Sequence, residues 1–311
     1  MKRHFAVQMA LLSLLLPGMN FLTSLKAQDK NSIIIDNLVF KSKILRSEIS
    51  YAVYLPPGFP SSEKQYPVLY LLHGFGSHHR TWITEGNLKE TADFSIRSGF
   101  LPPAVIVLPD AGTSWNINDC RGKYRWEDMF LMEFIPYIEA QYHISRNPNH
   151  RAIGGLSMGG YGAIVLALKH PDIFHLVLAM SAALRTDDDL LKTDETQWKN
   201  NLKPVFSCRN DAPSQRITAH WQENNPFLLL DQIPEDTLKQ LSFYLDCGKD
   251  DYFYTSNRLF ASLLEKHNVP CETAVFEGTH SWQYWRYALK RALPYAGKIW
   301  TRKIKPESTN Q

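Results

Sequence analysis

A serine flanked by glycines is the residue in this sequence best placed to do chemistry. The segment Gly155-Leu156-Ser157-Met158-Gly159 follows the short apolar stretch Arg151–Gly154 and precedes a stretch typical of a helix. A strand that turns this tightly into a helix leaves the serine hydroxyl at an exposed sheet edge, and residues without a β-carbon fit beside it. The pattern predicts that Ser157 is a nucleophile for acyl transfer.

This chemistry also needs a general base and an acid that orients it, and the sequence offers both downstream. His280 follows the strand-like segment Glu272–Phe276 and a short loop, and two carboxylates, Asp250 and Asp251, follow the strand-like segment Leu241–Asp246 and a glycine. Folds that place a serine at such a turn order the triad as serine, acid and histidine, each after a later strand. We therefore predict that His280 is the base and Asp251 the acid, with Asp250 as the alternative.

The oxyanion formed in acyl transfer needs backbone N–H donors that are already in place. One donor is the N–H of Met158, directly after the nucleophile. The second is expected after the strand-like segment Tyr66–Leu72, where the chain reads His73-Gly74-Phe75-Gly76. We predict that the Phe75 N–H is this donor and that His73 is a structural hydrogen-bonding residue.

Alternating strand-like and helix-like segments must position these residues. From the third onward the strand-like segments are short and apolar, as strands covered on both faces tend to be. The alternation predicts an α/β protein with a mostly parallel central sheet and helices on both faces. The strand-like segments are Ser32–Phe40, Ile44–Leu55, Tyr66–Leu72, Ala104–Leu108, Arg151–Gly154, Leu176–Ala179, Leu241–Asp246 and Glu272–Phe276. The helix-like stretches are Thr81–Ser98, Trp126–Tyr142, Met158–Lys169, Tyr254–Lys266 and Ser281–Trp300.

One connection, at about 182–239, is far longer than the others and lies before the acid-bearing strand. Such a length inside a compact domain indicates either a functional lid or a helical excursion at the sheet edge, and both interpretations stay open. No repeat or linker divides the chain, so we predict one domain over residues 28–311, ending in a frayed polar tail from Lys303 to Gln311.

Taken together, these motifs resemble those of the esterase D-like α/β-hydrolases. The resemblance covers nearly the whole chain after the first residues, although the loop Asp110–Arg125 matches no familiar pattern. The segments that carry it are Leu71-Leu72-His73-Gly74, Leu108-Pro109-Asp110, Gly155-Leu156-Ser157-Met158-Gly159-Gly160, Gly248-Lys249-Asp250-Asp251 and Gly278-Thr279-His280. That family contains S-formylglutathione hydrolases, tributyrin-type acetyl esterases, the feruloyl and acetylxylan esterases of carbohydrate esterase family one, and mycolyltransferases.

The resemblance implies an α/β-hydrolase fold and a metal-free acyl-enzyme mechanism without a cofactor. It assigns Ser157 as nucleophile, Asp251 as acid, His280 as base, and Phe75 and Met158 as oxyanion donors. The expected function is a serine carboxylesterase that hydrolyses acetyl or feruloyl-type esters of carbohydrates or small alcohols. Two alternatives are an acyltransferase of the same fold and a glycan-binding module that has lost activity.

Aromatic residues crowd the segments expected to face the active site, and flat rings can stack on a sugar or a feruloyl ring. We predict Trp82, Trp115 and Tyr252 as substrate-binding residues. Trp282 and Trp285 open the last helix-like stretch and are expected to belong to the core.

The first residues predict export. Lys2 and Arg3 precede an apolar run from Phe5 to Leu16, and a small-residue site ends at Ala27, as in a secretory signal peptide over residues 1–27. The run is too short for a spanning helix, so no stable membrane anchor is expected. Three of the 34 Lys and Arg residues lie in this segment and none of the 31 Asp and Glu residues, so the remainder is formally neutral. A neutral chain does not indicate nucleic-acid binding.

Four cysteines in an exported chain allow up to two disulfides. Cys247 and Cys271 fall at opposite ends of neighbouring parallel strands and should not bond, whereas a bridge between Cys120 and Cys208, both in long loops, stays open. No cysteine or histidine spacing is typical of a metal site. The segment His78-His79-Arg80 is interpreted as a solvated loop, with metal binding as the alternative.

Overall fold

The computed structural model of the protein describes residues 31–60, 65–209 and 212–304. The strands are β1 (Ile33–Ser42), β2 (Ser47–Leu55), β3 (Val68–Leu72), β4 (Val105–Pro109), β5 (Arg151–Leu156), β6 (Leu176–Met180), β7 (Ser242–Gly248) and β8 (Cys271–Phe276). The predicted leader over residues 1–27 lies outside the described residues, as does the tail beyond residue 304. Among the helices of the described ranges, none is both long and apolar enough to cross a membrane.

Within the described residues the eight strands form one sheet in the order β1-β2-β4-β3-β5-β6-β7-β8. The pairs β1–β2 and β2–β4 are antiparallel, and all the other pairs are parallel. This confirms the mostly parallel sheet predicted from the sequence. Because parallel strands end at the same edge, the loops after β3, β5, β7 and β8 meet there, with β5 near the centre.

Helices flank the strands along the described chain. They are α1 (Thr81–Thr84), α2 (Leu88–Arg97), α3 (Trp126–Met129), α4 (Ile135–Gln141), α5 (Met158–Lys169), α6 (Asp187–Lys192), α7 (Glu195–Gln197), α8 (Lys203–Phe206), α9 (Ala219–Glu223), α10 (Pro226–Gln232), α11 (Glu235–Leu238), α12 (Tyr254–Lys266) and α13 (Trp282–Ile304). A π-helical turn, Phe130–Phe134, joins α3 to α4, and another, Trp198–Leu202, joins α7 to α8. Short 3-10 turns cover Pro148–His150 and Pro213–Gln215.

The predicted segments agree with these elements except at one helix. All eight strand-like segments form strands, with bounds shifted by a few residues. The stretch Thr81–Ser98 is not one helix but two, because Asn87 between α1 and α2 has a left-handed φ of 50°. A residue in that conformation cannot continue a right-handed helix.

Both faces of the sheet are buried. Along β3, Val68, Tyr70 and Leu72 belong to one apolar cluster, and Leu69 and Leu71 to a second. Successive side chains of a strand point to opposite faces, so the two clusters are the layers on either side of the sheet. Residues of α3, α4, α5 and α12 cover one face, and residues of α2 and α13 cover the other.

The long connection at about 182–239 holds α6 to α11 and is anchored to the body of the protein. Its two tryptophans, Trp198 and Trp221, are buried in the core of one face. The Tyr161 hydroxyl on α5 donates to the Asn224 carbonyl at 2.6 Å. These contacts pack the connection against α5 and the core of that face.

A disulfide fastens the same connection to the loop after β4. Cys120 and Cys208 are bonded, with their Cα atoms 5.8 Å apart and a sequence separation of 88. The expectation that Cys247 and Cys271 do not bond is confirmed. Cys247 pairs with Val275 in the β7–β8 register, four positions beyond Cys271 along β8.

Removing this disulfide is expected to lower the free energy of unfolding by about 2–4 kcal/mol, because the bond restricts a long loop of the unfolded chain. The measurement is urea unfolding of the purified protein with and without dithiothreitol. A Cys208→Ser variant supplies the control, since its unfolding midpoint should not respond to the reductant. An unchanged midpoint for the reduced wild-type protein would contradict the expectation.

Candidate active site

Ser157 lies in the sharp turn between β5 and α5. Its backbone has φ 54° and ψ −118°, a strained conformation for a residue with a side chain. Three backbone hydrogen bonds hold it there. The Ser157 N–H donates to Met180 at 3.0 Å, and the Ser157 carbonyl accepts from Tyr161 at 3.0 Å and from Ala183 at 2.9 Å. The turn therefore fixes the hydroxyl at the carboxyl edge of the sheet.

The glycines on either side of Ser157 are required by close backbone contacts. A β-carbon on Gly155 would lie 2.7 Å from the Leu72 carbonyl oxygen and from the Gly159 carbonyl carbon. A β-carbon on Gly159 would lie 2.6 Å from the same Leu72 oxygen. Both distances are below any normal carbon contact, so the end of β3 presses directly on the turn.

His280 and Asp251 reach this serine from the loops after β8 and β7. The Nε2 atom of His280 lies 2.9 Å from the Ser157 Oγ, and its Nδ1 lies 2.8 Å from the Asp251 Oδ2. The His280 side chain is 10% exposed and that of Asp251 is fully buried. These distances form an unbroken hydrogen-bond chain from carboxylate through imidazole to hydroxyl, the arrangement of a serine hydrolase triad.

Of the two adjacent carboxylates, the structure brings Asp251 to the histidine. Its second oxygen, Oδ1, accepts from the Phe253 N–H at 2.9 Å, which fixes the carboxylate plane. Asp250 is exposed, and among the described hydrogen bonds and ion pairs of His280 none involves its side chain.

The two residues predicted as oxyanion donors lie beside the serine. Met158 is the first residue of α5, and the first N–H groups of a helix have no acceptor within the helix. The loop that holds Phe75 passes close by, since a β-carbon on Gly74 would lie 3.5 Å from the Ser157 Cβ. Buried His73 supports this loop, with its Nε2 accepting from the Ala111 N–H at 2.9 Å and its Nδ1 donating to the Gly74 carbonyl at 2.8 Å.

Two of the three aromatic residues predicted to bind substrate are buried, and both predictions are corrected. Trp82 is 1% exposed, and its Nε1 donates to the Leu72 carbonyl at 3.0 Å beneath the site. Trp115 is 4% exposed, and its Nε1 donates to the Asn201 carbonyl at 2.7 Å in the long connection. Rings buried to this degree offer no face to a sugar, so they support the site from behind.

Tyr252 lies at the mouth of the site. It is 71% exposed, and its ring centre is 4.4 Å from that of His280. The Trp285 ring contacts the same imidazole edge-on at 4.8 Å and is buried, as expected for a core residue. Partial desolvation by its neighbours and the charge of Asp251 raise the pKa of Tyr252, so its hydroxyl stays neutral at ordinary pH.

The segment His78-His79-Arg80 is more ordered than a solvated loop. His79 Nδ1 lies 3.2 Å from the Asp110 Oδ2, and Arg80 forms an ion pair with Asp36 at 2.9 Å. In the described part of the chain, no group of three or more His, Cys, Asp or Glu side chains is arranged to hold a metal ion.

Sequence reasoning missed a buried charge cluster beneath the acid. The fully buried carboxylate of Asp246 accepts from Arg291 Nε at 2.8 Å and Nη2 at 2.9 Å, and from the hydroxyls of Tyr244 and Tyr284. The cluster ties β7 to α13, next to the two loops that carry Asp251 and His280. The only signal in the sequence was an aspartate inside an otherwise apolar strand.

Residues 42–296, most of the chain, match a family model described as "Putative esterase". The chain belongs to this esterase family. It is a carboxylic ester hydrolase and a member of the esterase D-like α/β-hydrolases, as the sequence motifs predict.

Individual relatives agree with the family. An acetyl esterase of Caldicellulosiruptor saccharolyticus is 24% identical to this esterase over 273 residues, which cover 84% of this chain and 97% of the relative. An esterase of Mycobacterium tuberculosis is 34% identical over 252 residues, which cover 73% of this chain and 51% of the relative. This chain thus spans about half the length of the mycobacterial protein.

A solved structure of a ferulic acid esterase superimposes on this esterase with a TM-score of 0.73. It is 32% identical, and the match covers 86% of this chain and 99% of that one.

Proposed function

We propose that the protein is an exported serine carboxylesterase that removes acetyl or feruloyl-type groups from carbohydrates or small alcohols by a Ser–His–Asp mechanism. The observation that carries the proposal is the pair of hydrogen bonds joining Ser157 to His280 and His280 to Asp251, at 2.9 and 2.8 Å. A hydroxyl, an imidazole and a buried carboxylate in this order form a nucleophile activated by an oriented base.

The first half of the proposed mechanism is acylation of Ser157. As the Ser157 Oγ bonds to the ester carbonyl carbon, His280 Nε2 takes the hydroxyl proton, and the Asp251 carboxylate stabilises the imidazolium. The carbonyl oxygen becomes an oxyanion, which we assign to the N–H groups of Phe75 and Met158. The bond to the alcohol oxygen then breaks, and His280 gives that oxygen its proton. An acyl-serine remains.

Deacylation repeats the same steps with water in place of serine. His280 takes a proton from water while the water oxygen attacks the acyl carbon, and returns the proton to Ser157 as the acid leaves. The mechanism requires no cofactor.

Support for the substrate class comes from the mouth of the site and from the relatives. Exposed Tyr252 beside His280 offers an aromatic face at the entrance, suited to a sugar or a phenolic ring. Two of the similar proteins are named as an acetyl esterase and a ferulic acid esterase. Support for export comes from the predicted leader and from the Cys120–Cys208 disulfide, since such bonds persist in oxidising compartments.

A hydrolysis panel tests the proposal. Purified protein would be assayed on p-nitrophenyl acetate, p-nitrophenyl butyrate and methyl ferulate, and on acetylated and feruloylated xylan, with Ser157→Ala as the blank. We expect Ser157-dependent release of acetate or ferulate from at least one polysaccharide. Hydrolysis of only the small esters would limit the function to a general esterase, and no hydrolysis at all would favour a glycan-binding module.

A further inference from the structure

Arg185 lies between two aromatic rings that pack against residues of the candidate active site. Its guanidinium carbon is 5.5 Å from the centre of the Trp115 ring and 4.8 Å from that of Phe253. The Trp115 ring contacts Phe75 in the predicted oxyanion loop, with ring centres 6.1 Å apart, and the Phe253 ring contacts His280 at 5.4 Å. The Phe253 ring therefore lies between Arg185 and His280, and the Trp115 ring lies between Arg185 and the predicted oxyanion loop.

This guanidinium has no acidic partner among the described residues. None of their ion pairs includes Arg185, and the one side-chain hydrogen bond that it forms with them is from Nη1 to the Ala183 carbonyl at 3.3 Å. Nearby Asp189 is engaged elsewhere, because its carboxylate caps α6 through Thr186 and contacts Ser256. Tyr252, the other acidic neighbour, is neutral at ordinary pH.

Two nitrogen atoms of Arg185 that have no partner among the described residues keep some contact with solvent. Arginine has five N–H groups, and here the Nη1 contact occupies only one of them. Neither Nε nor Nη2 is among the sealed, unpartnered side-chain atoms of the described chain, so both reach solvent-accessible space.

Arg185, which is half-buried, differs from the two buried arginines of the described chain, because each of those is paired with a carboxylate. Arg151 pairs with Glu139, with a distance of 2.8 Å from its Nε, and Arg216 pairs with Glu195 at 2.7 Å. Burial lowers the pKa of Arg185 to about 10, so it is still a cation at neutral pH. Contacts with ring faces recover part of the lost hydration but leave the charge without a counter-ion.

We propose that Arg185 is a specificity-determining residue that pairs with a carboxylate of the ester substrate, carried either on the acyl chain or on the alcohol. A planar guanidinium whose Nε and Nη2 atoms can both donate matches the two oxygens and the negative charge of a carboxylate. An acylated acidic sugar is one substrate of this chemical class. The proposal rests on the esterase function proposed above and narrows its substrates.

The test compares two matched pairs of esters in which a neutral carboxamide replaces the carboxylate. On the acyl side these are the p-nitrophenyl esters of adipic acid and of its monoamide, and on the alcohol side 4-carboxyphenyl acetate and 4-carbamoylphenyl acetate. The readout is the ratio of kcat/KM for the carboxylate to kcat/KM for the carboxamide, at low ionic strength. Wild-type protein would be compared with Arg185→Gln, which removes the charge, and Arg185→Lys, which keeps it.

In at least one pair, we expect the wild-type ratio to exceed that of Arg185→Gln by about tenfold or more and to fall as salt is added. Arg185→Lys should give an intermediate ratio, because a lysine keeps the charge without the planar fork. The pair that responds identifies which side of the ester carries the anion. As a control, Arg302→Gln removes an exposed charge near the far end of α13, about 30 Å along the helix from His280, and should keep the wild-type ratio.

Equal ratios for wild type and Arg185→Gln in both pairs would overturn the inference, as would a loss that affects both members of each pair equally. That second result would mean that Arg185 only supports the rings. Failure of the esterase function is a separate result, since the wild-type protein would then show no Ser157-dependent hydrolysis of p-nitrophenyl acetate.

Discussion

Replacing Ser157 with alanine is expected to lower kcat for p-nitrophenyl acetate by roughly 10⁴- to 10⁶-fold, close to the rate of the assay without enzyme. The reason is that in the proposed mechanism the Ser157 Oγ, 2.9 Å from His280 Nε2, is the atom that bonds to the acyl carbon. Without it, only binding and the oxyanion donors remain to assist attack by water. The loss should therefore fall on kcat far more than on KM.

Two controls make this result specific. Ser262→Ala removes an exposed hydroxyl on α12 and should leave kcat unchanged. The thermal unfolding temperature of Ser157→Ala should match that of the wild type, since alanine keeps the β-carbon and the backbone hydrogen bonds of the turn. A folded Ser157→Ala protein that kept more than about 1% of wild-type kcat would mean that another residue is the nucleophile.

The triad geometry could be predicted because it depends on chain order and on a local turn. Gly155 and Gly159 signal a strand that passes directly into a helix, and Ser157 must then lie at the sheet edge. Strands that follow in a parallel sheet end at the same edge, which brings the loops of Asp251 and His280 to it. Short apolar segments likewise revealed the strands, because both faces of the sheet are buried.

The aromatic residues could not be placed in the same way, because their exposure depends on segments distant in sequence. Trp115 belongs to the loop Asp110–Arg125, which matched no familiar pattern, and is covered by Asn201 and Phe206 of the long connection. Trp82 is covered by the edge of Trp282 at the start of α13. Neither contact leaves a periodic signal in the sequence.

The surroundings of Arg185 and Arg291 could not be predicted from the sequence for a related reason. From sequence alone, a charged residue is expected to lie on the surface, and only the tertiary structure shows which groups surround it. Arg291 is paired with buried Asp246, whereas Arg185 is held by Trp115 and Phe253 without a carboxylate. The sequence contains both cations, but only the structure separates the one that is paired with a buried carboxylate from the one that forms no ion pair with the described residues.

Two carboxylates with different surroundings, Asp246 and Asp251, lie close together in sequence at the end of β7. Asp246 points into the layer of α13 and is neutralised by Arg291, while Asp251, five residues later, lies beyond the Gly248 turn and faces His280. The backbone of Asp246 also accepts from the Ser181 N–H at 2.6 Å, which ties β7 to the end of β6. A rigid strand end of this kind holds the acid loop in place.

Replacing Asp251 with asparagine is expected to lower kcat by about 10²- to 10⁴-fold, while Asp250→Asn should change it by less than about threefold. The Asp251 Oδ2 accepts the His280 Nδ1 proton at 2.8 Å, and Oδ1 accepts from the Phe253 N–H at 2.9 Å. An asparagine that keeps its oxygen on Phe253 turns its NH₂ toward Nδ1. That arrangement favours the tautomer with the proton on Nε2, which cannot accept from Ser157.

Steady-state kinetics on p-nitrophenyl acetate show which of the two carboxylates orients His280. The two variants, Asp250→Asn and Asp251→Asn, make the same substitution at adjacent positions. Asp250 is exposed, so its amide variant changes net charge by the same amount without touching the imidazole. The unfolding temperature of each variant is measured as well. An unchanged temperature means that only the proton acceptor is lost, and a lowered one means that the loop is disturbed. A crippled Asp250→Asn beside an active Asp251→Asn would transfer the role of the acid to Asp250. Equal and small losses in both would mean that His280 works without an orienting carboxylate.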